Sequence, residues 1–221
     1  MTDLEGRVTM LEAQVARLQA QLAKERCDGG ELFRYNPPWI KPWQIIDRII
    51  TNFFPDAEDA VDLTPGRGHF WGKSPRVKVI KSTFDFRETP YIDGQFDIAV
   101  FDPPHNADMG ATSVMKSFGT YKFGELPDVI REGCRETKRV SMVGAIVKVT
   151  DQTHGQQFVH ETGWVFDTLG KPFDTTHGMH RKVRDPKWKL PQASVYNNGS
   201  AYLIYRWGDQ MHVRRQAVLN T

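Results

Sequence analysis

The stretch Phe96-Asp97-Ile98-Ala99-Val100-Phe101-Asp102-Pro103-Pro104-His105 decides the fold that the sequence predicts. Five of its first six residues are apolar, as in a strand that lies in the interior of a sheet. The strand must end at Asp102, because the two prolines that follow can neither continue a ladder nor donate to one. The pattern therefore predicts a carboxylate at the carboxyl end of a central strand, where open α/β sheets bind their ligands.

The composition is that of an ordinary soluble protein with one domain and a short appendage. The chain has 221 residues, of which 39% are hydrophobic and 25% are charged, and its net charge is +2. It has no apolar run long enough to cross a bilayer, and its N-terminus lacks the apolar core of a signal peptide. The only cysteines, Cys27 and Cys134, are far apart, which indicates a reducing compartment and argues against a disulfide framework and a zinc site. We therefore expect no metal, no membrane association and a cytoplasmic location.

Residues 1–28 carry a heptad repeat. Apolar residues recur at alternating spacings of four and three, at Leu4, Val8, Leu11, Val15, Leu18 and Leu22. Mostly β-branched residues at a and leucines at d favour a parallel two-stranded coiled coil, and hence a homodimer. The alternative is one amphipathic helix that packs on its own domain. Residues 29–36 begin with two glycines and are predicted as a linker to a domain of residues 37–221.

A second motif lies at the end of an earlier predicted strand. The stretch from Asp59 to Leu63 leads into the turn Gly66-Arg67-Gly68, and Asp62 stands four residues before the first glycine. Glycines are needed where the backbone must approach a ligand closely or adopt angles that a β-carbon forbids. A helix predicted for residues 43–53 precedes this strand; it follows the Lys41-Pro42 turn and carries one stripe of isoleucines.

The order of these motifs resembles that of the class I amino-methyltransferases, which use S-adenosylmethionine. In that family an Asp-Pro-Pro-aromatic motif, which acts on the exocyclic amine of adenine or sometimes cytosine, follows an Asp-x-x-x-Gly-x-Gly loop. Here the motif is Asp102-Pro103-Pro104-His105, with His105 in place of a larger aromatic residue, as in some phage-type members. The resemblance implies a three-layer α/β/α Rossmann-like sandwich over residues 37–207. It also implies methylation of adenine N6 in DNA, inside a bacterium or a phage-infected host cell.

The resemblance gives each residue of the two motifs a role. Asp102 and the carbonyl of Pro103 would each accept one N–H of the target amine, Pro104 would stiffen the turn, and His105 would stack on the base. The residues implied in cofactor binding are Lys41, Pro42, Asp62, Thr64, Gly66, Gly68, Asp85 and Phe86. One departure from the family is that no acid between Trp71 and Phe84 can bind the ribose hydroxyls of the cofactor.

The segment from Asp174 to Ser200 is predicted as an insert that alternates basic residues with flat rings. Cations suit phosphates and rings stack on bases, so we expect nucleic-acid contacts at Arg181, Lys182, Arg184, Lys187, Trp188 and Lys189. From Lys171 to the end of the sequence, nine Lys and Arg stand against three acids, a net charge of +6. The alternative is a solvated loop with Trp188 packed on the sheet. His177 and His180 have no further ligand at metal spacing.

The remaining segments complete the predicted order of strands and helices. Strands are predicted within 77–87 and at 142–149, 164–166 and 201–207, helices at 125–139 and 156–162, and a loop at 106–123. The resemblance favours DNA over RNA as the partner, and two other functions stay open. The same fold could methylate RNA, or the chain could be a catalytically inactive subunit that binds nucleic acid as a coiled-coil dimer.

Overall fold

The structure is a computed structural model that describes residues 35–36, 41–66, 70–103, 121–154, 157–179 and 199–207. All of these residues belong to one compact unit, Tyr35–Thr221. The heptad repeat of residues 1–28 lies outside the described residues, so the coiled coil and the homodimer stay predictions.

The described residues form three α-helices, one short 3-10 helix and nine strands. In chain order they are β1 (Tyr35–Asn36), α1 (Pro42–Phe53), β2 (Asp59–Asp62), β3 (Lys78–Lys81), β4 (Phe96–Phe101), the 3-10 helix (Phe123–Glu125), α2 (Leu126–Val140), β5 (Ser141–Val149), β6 (Gln152–His154), β7 (Gln157–Val159), α3 (Glu161–Leu169), β8 (Asp174–Met179) and β9 (Gly199–Arg206). None of these described helices has both the length and the apolar character that a membrane crossing requires.

Seven of the strands form one mixed sheet in the order β1-β8-β9-β5-β4-β2-β3. The strands β3, β2, β4 and β5 are parallel, β9 is antiparallel to β5, and β8 is antiparallel to β9. The strands β6 and β7 pair separately as a hairpin. Residues 82–95, which connect β3 to β4, contain no strand. The sheet therefore places the stretch that ends at Asp102 in a central position, as the sequence predicts.

The central strands are buried on both faces, because their side chains alternate between two helical layers. In β4, Ile98 and Val100 pack in the core that contains α1. Ala99 and Phe101 point the other way, into the core that contains α2 and α3. The isoleucine stripe of α1 is buried, as is the predicted inward face of α2, which includes Leu126, Val129, Ile130 and Cys134. The sheet thus lies between α1 on one face and α2 with α3 on the other, which confirms the predicted mixed α/β class.

The prediction for residues 156–166 is wrong. Residues 157–159 form the strand β7, and the predicted strand at 164–166 lies inside the helix α3. The reason is that Glu161 and Val165, four residues apart, are both fully buried on one side of α3. Trp164 and Phe166, on either side of Val165, are partly exposed. Three apolar residues in a row are too few to distinguish this helical pattern of burial from that of a strand.

Three predicted boundaries also change. The supposed insert 174–200 begins with the strand β8, and Gly199 and Ser200 already belong to β9. These residues are polar, and they form strands because each pairs with the other in an antiparallel ladder. The strand predicted within 77–87 ends at Lys81, so Asp85 lies in the following turn. The end of the predicted linker, Tyr35–Asn36, forms the short strand β1 beside β8.

Candidate active site at the carboxyl edge of the sheet

Polar side chains of four adjacent strands meet at the carboxyl edge of the parallel strands. The register pairs Asp62 of β2 with Val100 of β4, two residues before Asp102, and Lys148 of β5 with Tyr202 of β9. Because side chains alternate along a strand, all four functional groups point to the face that α1 covers. This edge is where an open α/β sheet binds its ligands.

Asp62, the acid of the predicted cofactor loop, is almost completely buried, with 1% of its surface exposed. Its Oδ2 accepts a hydrogen bond from the indole Nε1 of Trp71 over 2.8 Å, and its Oδ1 accepts one from the backbone N–H of Thr64 over 3.1 Å. Burial raises the pKa of Asp62 to about 6, the charge of Asp102 adds to this rise, and the two hydrogen bonds oppose it. A cationic ligand group at this carboxylate would remove the cost of its buried charge.

Asp102, the acid of the Asp-Pro-Pro motif, is held by its neighbours from two sides. Its backbone N–H donates to the hydroxyl of Thr64 over 2.8 Å, which ties the end of β4 to the end of β2. Its side chain accepts two hydrogen bonds from Nζ of Lys148, over 2.8 Å at Oδ1 and 2.9 Å at Oδ2. The Asp102 side chain keeps 25% exposure, so a ligand can reach a carboxylate that is already oriented. Pro103, the next residue, is buried.

Lys148 is a buried cation in an otherwise apolar strand. Its ammonium lies 5.7 Å from the centre of the Phe70 ring, within the range of a cation–π contact. The Phe70 ring stacks in turn on Tyr202, with 6.3 Å between ring centres and 22° between planes. Tyr202 is 1% exposed, and burial together with the nearby charge of Asp102 raises the pKa of its hydroxyl. The Asp102 carboxylate and the Phe70 ring, which Tyr202 supports from behind, therefore fix the lysine head group in one place.

The predicted cofactor contacts Lys41 and Pro42 line a groove of about 680 Å³ at the start of α1. Trp43 and Trp71 form its aromatic walls, and Gly72 lies so close to the Trp43 ring that an added β-carbon would be only 3.0 Å from it. Trp71 is also the donor to Asp62, so the groove and the buried carboxylate are connected through one side chain. Trp71 thus links the start of α1 to the end of β2, and cofactor contacts at Lys41 and Pro42 stay predictions.

Asp85 and Phe86, the predicted adenine contacts, lie in the loop that follows β3. The Asp85 carboxylate is exposed and accepts hydrogen bonds from Nε and the terminal guanidinium nitrogen of Arg87, the shortest over 2.6 Å. The hydrogen bonds from Arg87 lower the pKa of Asp85. Phe86 packs against Phe101, with 5.3 Å between ring centres, and so contacts the residue that precedes Asp102. An adenine contact at Asp85 stays a prediction.

The interval from Trp71 to Phe84, in which the resemblance would require an acid for the ribose hydroxyls, contains β3, which ends in Lys81 and is followed by Ser82. Lys81 is exposed, and its charge acts to lower the pKa of Asp62. Ser82 is buried and its backbone N–H donates to the carbonyl of Asp62 over 2.9 Å. The buried carboxylate of Asp62 therefore fits the cationic amino group of S-adenosylmethionine, whereas β3 supplies no carboxylate for the ribose end.

The remaining predicted site residues are only partly within the described residues. Gly66 has a φ of 49°, a left-handed conformation that glycine adopts at little cost and that the predicted Gly-x-Gly turn requires. Outside the described residues lie Gly68, Pro104, His105, Arg181, Lys182, Arg184, Lys187, Trp188 and Lys189. Among the described residues, no three His, Cys, Asp or Glu side chains are grouped so that they could hold a metal ion.

Lys148 is a site residue that the motifs do not predict, although the sequence carries one signal for it. A charged residue within the apolar run Met142–Val149 is unusual, because lysine is almost never buried unless it is paired. That anomaly predicts an acidic partner at the same sheet edge. Phe70, Trp71 and Tyr202 carry no comparable signal, because aromatic residues at such positions most often only fill a core.

The chain is similar in fold to several solved structures. One is an S-adenosylmethionine-dependent methyltransferase from Methanosarcina mazei, with 10% identity, coverage of 72% of this chain and 96% of that chain, and a TM-score of 0.42. Another is the 1,6-didemethyltoxoflavin-N1-methyltransferase of Burkholderia thailandensis with 1,6-didemethyltoxoflavin and S-adenosylhomocysteine bound, with 11% identity, coverage of 90% of each chain and a TM-score of 0.44. A third is an S-adenosylmethionine-dependent methyltransferase from Thermotoga maritima, described as a possible histamine N-methyltransferase, with 11% identity, coverage of 73% and 87%, and a TM-score of 0.37.

These likenesses concern the fold and not the residues of the site. No family model matches the sequence, and no curated protein matches it. The roles proposed for Asp62 and Asp102 therefore rest on the sequence motifs and on the geometry of this chain, and the role of Lys148 rests on geometry alone.

Proposed function

We propose that this protein transfers a methyl group from S-adenosylmethionine to an exocyclic amine of a nucleic-acid base, namely N6 of adenine in DNA. The observation that carries the proposal is the connection between Asp62 and Asp102 at one sheet edge. Both contact Thr64: its backbone N–H donates to Asp62, and its hydroxyl accepts from the backbone of Asp102. A buried carboxylate for a cationic cofactor thus lies beside a more exposed carboxylate that can bind an amine.

The residues that would hold the cofactor follow from the charges at the site. S-adenosylmethionine supplies an electrophilic methyl group on a positively charged sulfur. Asp62 would bind its amino group, since a buried carboxylate gains most from a cationic partner. Gly66 would let the backbone approach the cofactor closely. Lys41 and Pro42 would line the entrance to the cofactor site beside Trp71. Asp85 and Phe86 are proposed contacts for the adenine ring, and Gly68 is proposed as the second glycine of the cofactor loop.

Asp102 and Pro103 would activate the target amine. The lone pair of an exocyclic amine is conjugated into its ring, so the nitrogen is a weak nucleophile. When the Asp102 carboxylate and the Pro103 carbonyl each accept one N–H, the nitrogen moves toward a tetrahedral geometry and its lone pair becomes available for attack. Such catalysis depends on positioning and on preorganised electrostatics, and a carboxylate already oriented by two hydrogen bonds is suited to it.

The proposed substrate and assembly are supported by the sequence. The target base would have to leave the DNA double helix to reach Asp102. His105, which follows Pro104 in the sequence, would stack on this base. The basic and aromatic residues of 181–189 would bind the DNA backbone and neighbouring bases. The heptad repeat supports a homodimer, and the two separate cysteines support a cytoplasmic location.

Calorimetric titration and a methyl-transfer assay test the proposal together. We expect the purified protein to bind S-adenosylmethionine and to transfer labelled methyl groups to adenine-containing DNA. Asp102→Ala should abolish transfer and keep cofactor binding, whereas Asp62→Ala with Gly66→Val should abolish binding. Asp167→Ala, an exposed acid of α3, is the matched control and should change neither. Full transfer by Asp102→Ala would refute the proposed role, and RNA methylation without DNA methylation would reassign the polymer.

Because Asp102→Ala leaves the buried Lys148 without its carboxylate, its thermal unfolding must be followed beside the activity. The test is valid at temperatures where the variant is folded.

A further inference from the structure

We infer that Lys148 binds the ring nitrogen next to the target amine, so that Asp102 and Lys148 together recognise an amidine edge: an exocyclic N–H donor beside an unprotonated ring nitrogen. This inference rests on the proposed function and names the class of base that the site accepts. Adenine has this edge at N6 and N1, and cytosine has it at N4 and N3. A ring whose atom beside the amine is a C–H carbon lacks it.

The spacing of the two side chains supports the inference. Nζ of Lys148 lies 2.8 Å from Oδ1 and 2.9 Å from Oδ2 of Asp102, so a donor and an acceptor stand side by side. In an amidine edge the two nitrogen atoms are bonded to the same carbon, which also places a donor and an acceptor side by side. The order is complementary: the amine N–H meets the carboxylate, and the ring nitrogen meets the ammonium.

The hydrogen-bonding capacity of both groups permits this arrangement. An ammonium has three N–H donors, and the contacts with Asp102 use two of them. Nζ also lies 5.7 Å from the centre of the Phe70 ring, which is a face and not an acceptor atom. A carboxylate has about four lone-pair positions, and the two hydrogen bonds from Lys148 use two of those of Asp102.

The position of Lys148 in the fold also favours recognition over a merely structural ion pair. A buried lysine loses hydration, and the ion pair with Asp102 offsets that cost. The register with Tyr202 and the contact with Phe70 hold the head group on the face that also carries Asp102. A donor fixed in this way favours a base that carries the acceptor, because a C–H group in the same place would leave one N–H of the ammonium without a hydrogen bond.

The first experiment needs no variant of the protein. Oligonucleotides carry adenine, 1-deazaadenine or 7-deazaadenine at the target position, placed opposite an abasic site so that base pairing does not differ. We expect 1-deazaadenine, which lacks the ring nitrogen beside the amine, to lower kcat/KM by about 10- to 100-fold, as for the loss of a charged hydrogen bond. The 7-deazaadenine control, altered at a distant ring atom, should change kcat/KM by less than about threefold. Equal methylation of 1-deazaadenine and adenine would overturn the inference.

The second experiment assigns the effect to Lys148 by a double-mutant cycle. In Lys148→Met, whose side chain keeps the apolar stem, removal of the ring nitrogen should cost less than about threefold, because the donor is already gone. Lys148→Arg, which keeps a cationic donor, should retain part of the discrimination. The same cycle is measured as Kd for the oligonucleotides without cofactor, which gives a readout apart from turnover. An undiminished 1-deazaadenine penalty in Lys148→Met would overturn the inference.

The two proposals fail in different ways. If the wild-type protein binds oligonucleotides but methylates no amine, the proposed function fails, and the binding cycle alone decides the role of Lys148. If it methylates adenine and treats both deaza bases alike, the proposed function stands and the inference is wrong.

Discussion

The hydroxyl of Thr64 accepts a hydrogen bond from the backbone N–H of Asp102 over 2.8 Å, and so joins the ends of the parallel strands β2 and β4. Because β4 ends at Phe101, the N–H of Asp102 lies beyond the strand ladder and needs another acceptor. Because the backbone N–H of Thr64 also donates to Asp62, one residue positions both carboxylates of the proposed site. The separation of the two carboxylates is thereby fixed by the fold.

Thr64→Val is expected to lower the free energy of unfolding by about 1–3 kcal/mol, because it removes the acceptor and leaves the Asp102 N–H unsatisfied. The kcat of the folded variant should also fall, since Asp102 loses its fixed orientation. Urea unfolding and kcat of the folded protein measure the two effects. Thr64→Ser keeps the hydroxyl and is the matched control. If valine and serine behave alike, the hydrogen bond does not position Asp102.

Asp62 is expected to make the stability of the protein depend on pH between about 4 and 6. Its pKa is raised from 3.8 to about 6 in the folded state, so the folded protein binds more protons than the unfolded chain in this interval. Stability should therefore fall as the pH rises from 4 to 6 and stay constant above that. The contribution is about 3 kcal/mol, at about 1.4 kcal/mol for each pH unit.

The measurement is urea unfolding at several pH values for the wild-type protein and for Asp62→Asn. The difference between their unfolding free energies isolates this one group from the other acids that titrate in the same interval. A difference that does not change between pH 4 and 6 would show that Asp62 has an ordinary pKa.

A side chain at Gly133 of α2 is expected to destabilise the protein, because this position faces the ring of Phe101. A β-carbon at this position would overlap with that ring, and Phe101 is completely buried and cannot turn away into solvent. Gly133→Ala should cost about 1–3 kcal/mol of stability through overpacking and should disturb Asp102, the next residue in the chain. Thermal unfolding and methyl transfer provide the measurements.

Gly124, in the 3-10 helix before α2, is the matched control, because nothing lies within 4 Å of a β-carbon added there. Gly124→Ala should change stability by less than about 1 kcal/mol. Equal effects of the two substitutions would mean that helix propensity, and not the Phe101 ring, governs Gly133.

Glu136 is expected to contribute to stability and not to catalysis. The carboxylate is 5% exposed and accepts hydrogen bonds from the backbone N–H of Thr89 over 2.8 Å and from Arg139 over 2.6 and 2.7 Å. Glu136→Gln should lower the free energy of unfolding by about 1–3 kcal/mol, because the NH2 group of the amide would face the N–H donors of Thr89 or Arg139. Urea unfolding measures the loss, and kcat at a temperature where the variant is folded should stay within about twofold of wild type.

Glu132 provides the comparison on the same helix. Its side chain is 48% exposed and lies 3.9 Å from Arg87, so Glu132→Gln should change stability by less than about 0.5 kcal/mol. A drop in kcat for folded Glu136→Gln would show that this network also supports the site.

The sequence by itself determined the class of the fold and the location of the candidate site. The apolar run that ends at Asp102, the acid at Asp62 and the helix after Pro42 each depend on local rules: proline ends strands and starts helices, and glycine permits tight turns. Since the ends of neighbouring parallel strands share one edge, two strand-terminal acids suffice to locate that edge. Local pattern failed at residues 156–166, where three apolar residues could not distinguish a strand from a helix.

Only the tertiary structure decided which side chains contact these acids. Lys148 is 46 residues from Asp102, and Tyr202 is further still; register and side-chain alternation bring them together. Such contacts follow from the pairing of distant strands, which no local sequence window encodes. The burial that raises the pKa of Asp62 has the same origin, because desolvation depends on everything that packs around a group and not on its neighbours in the chain.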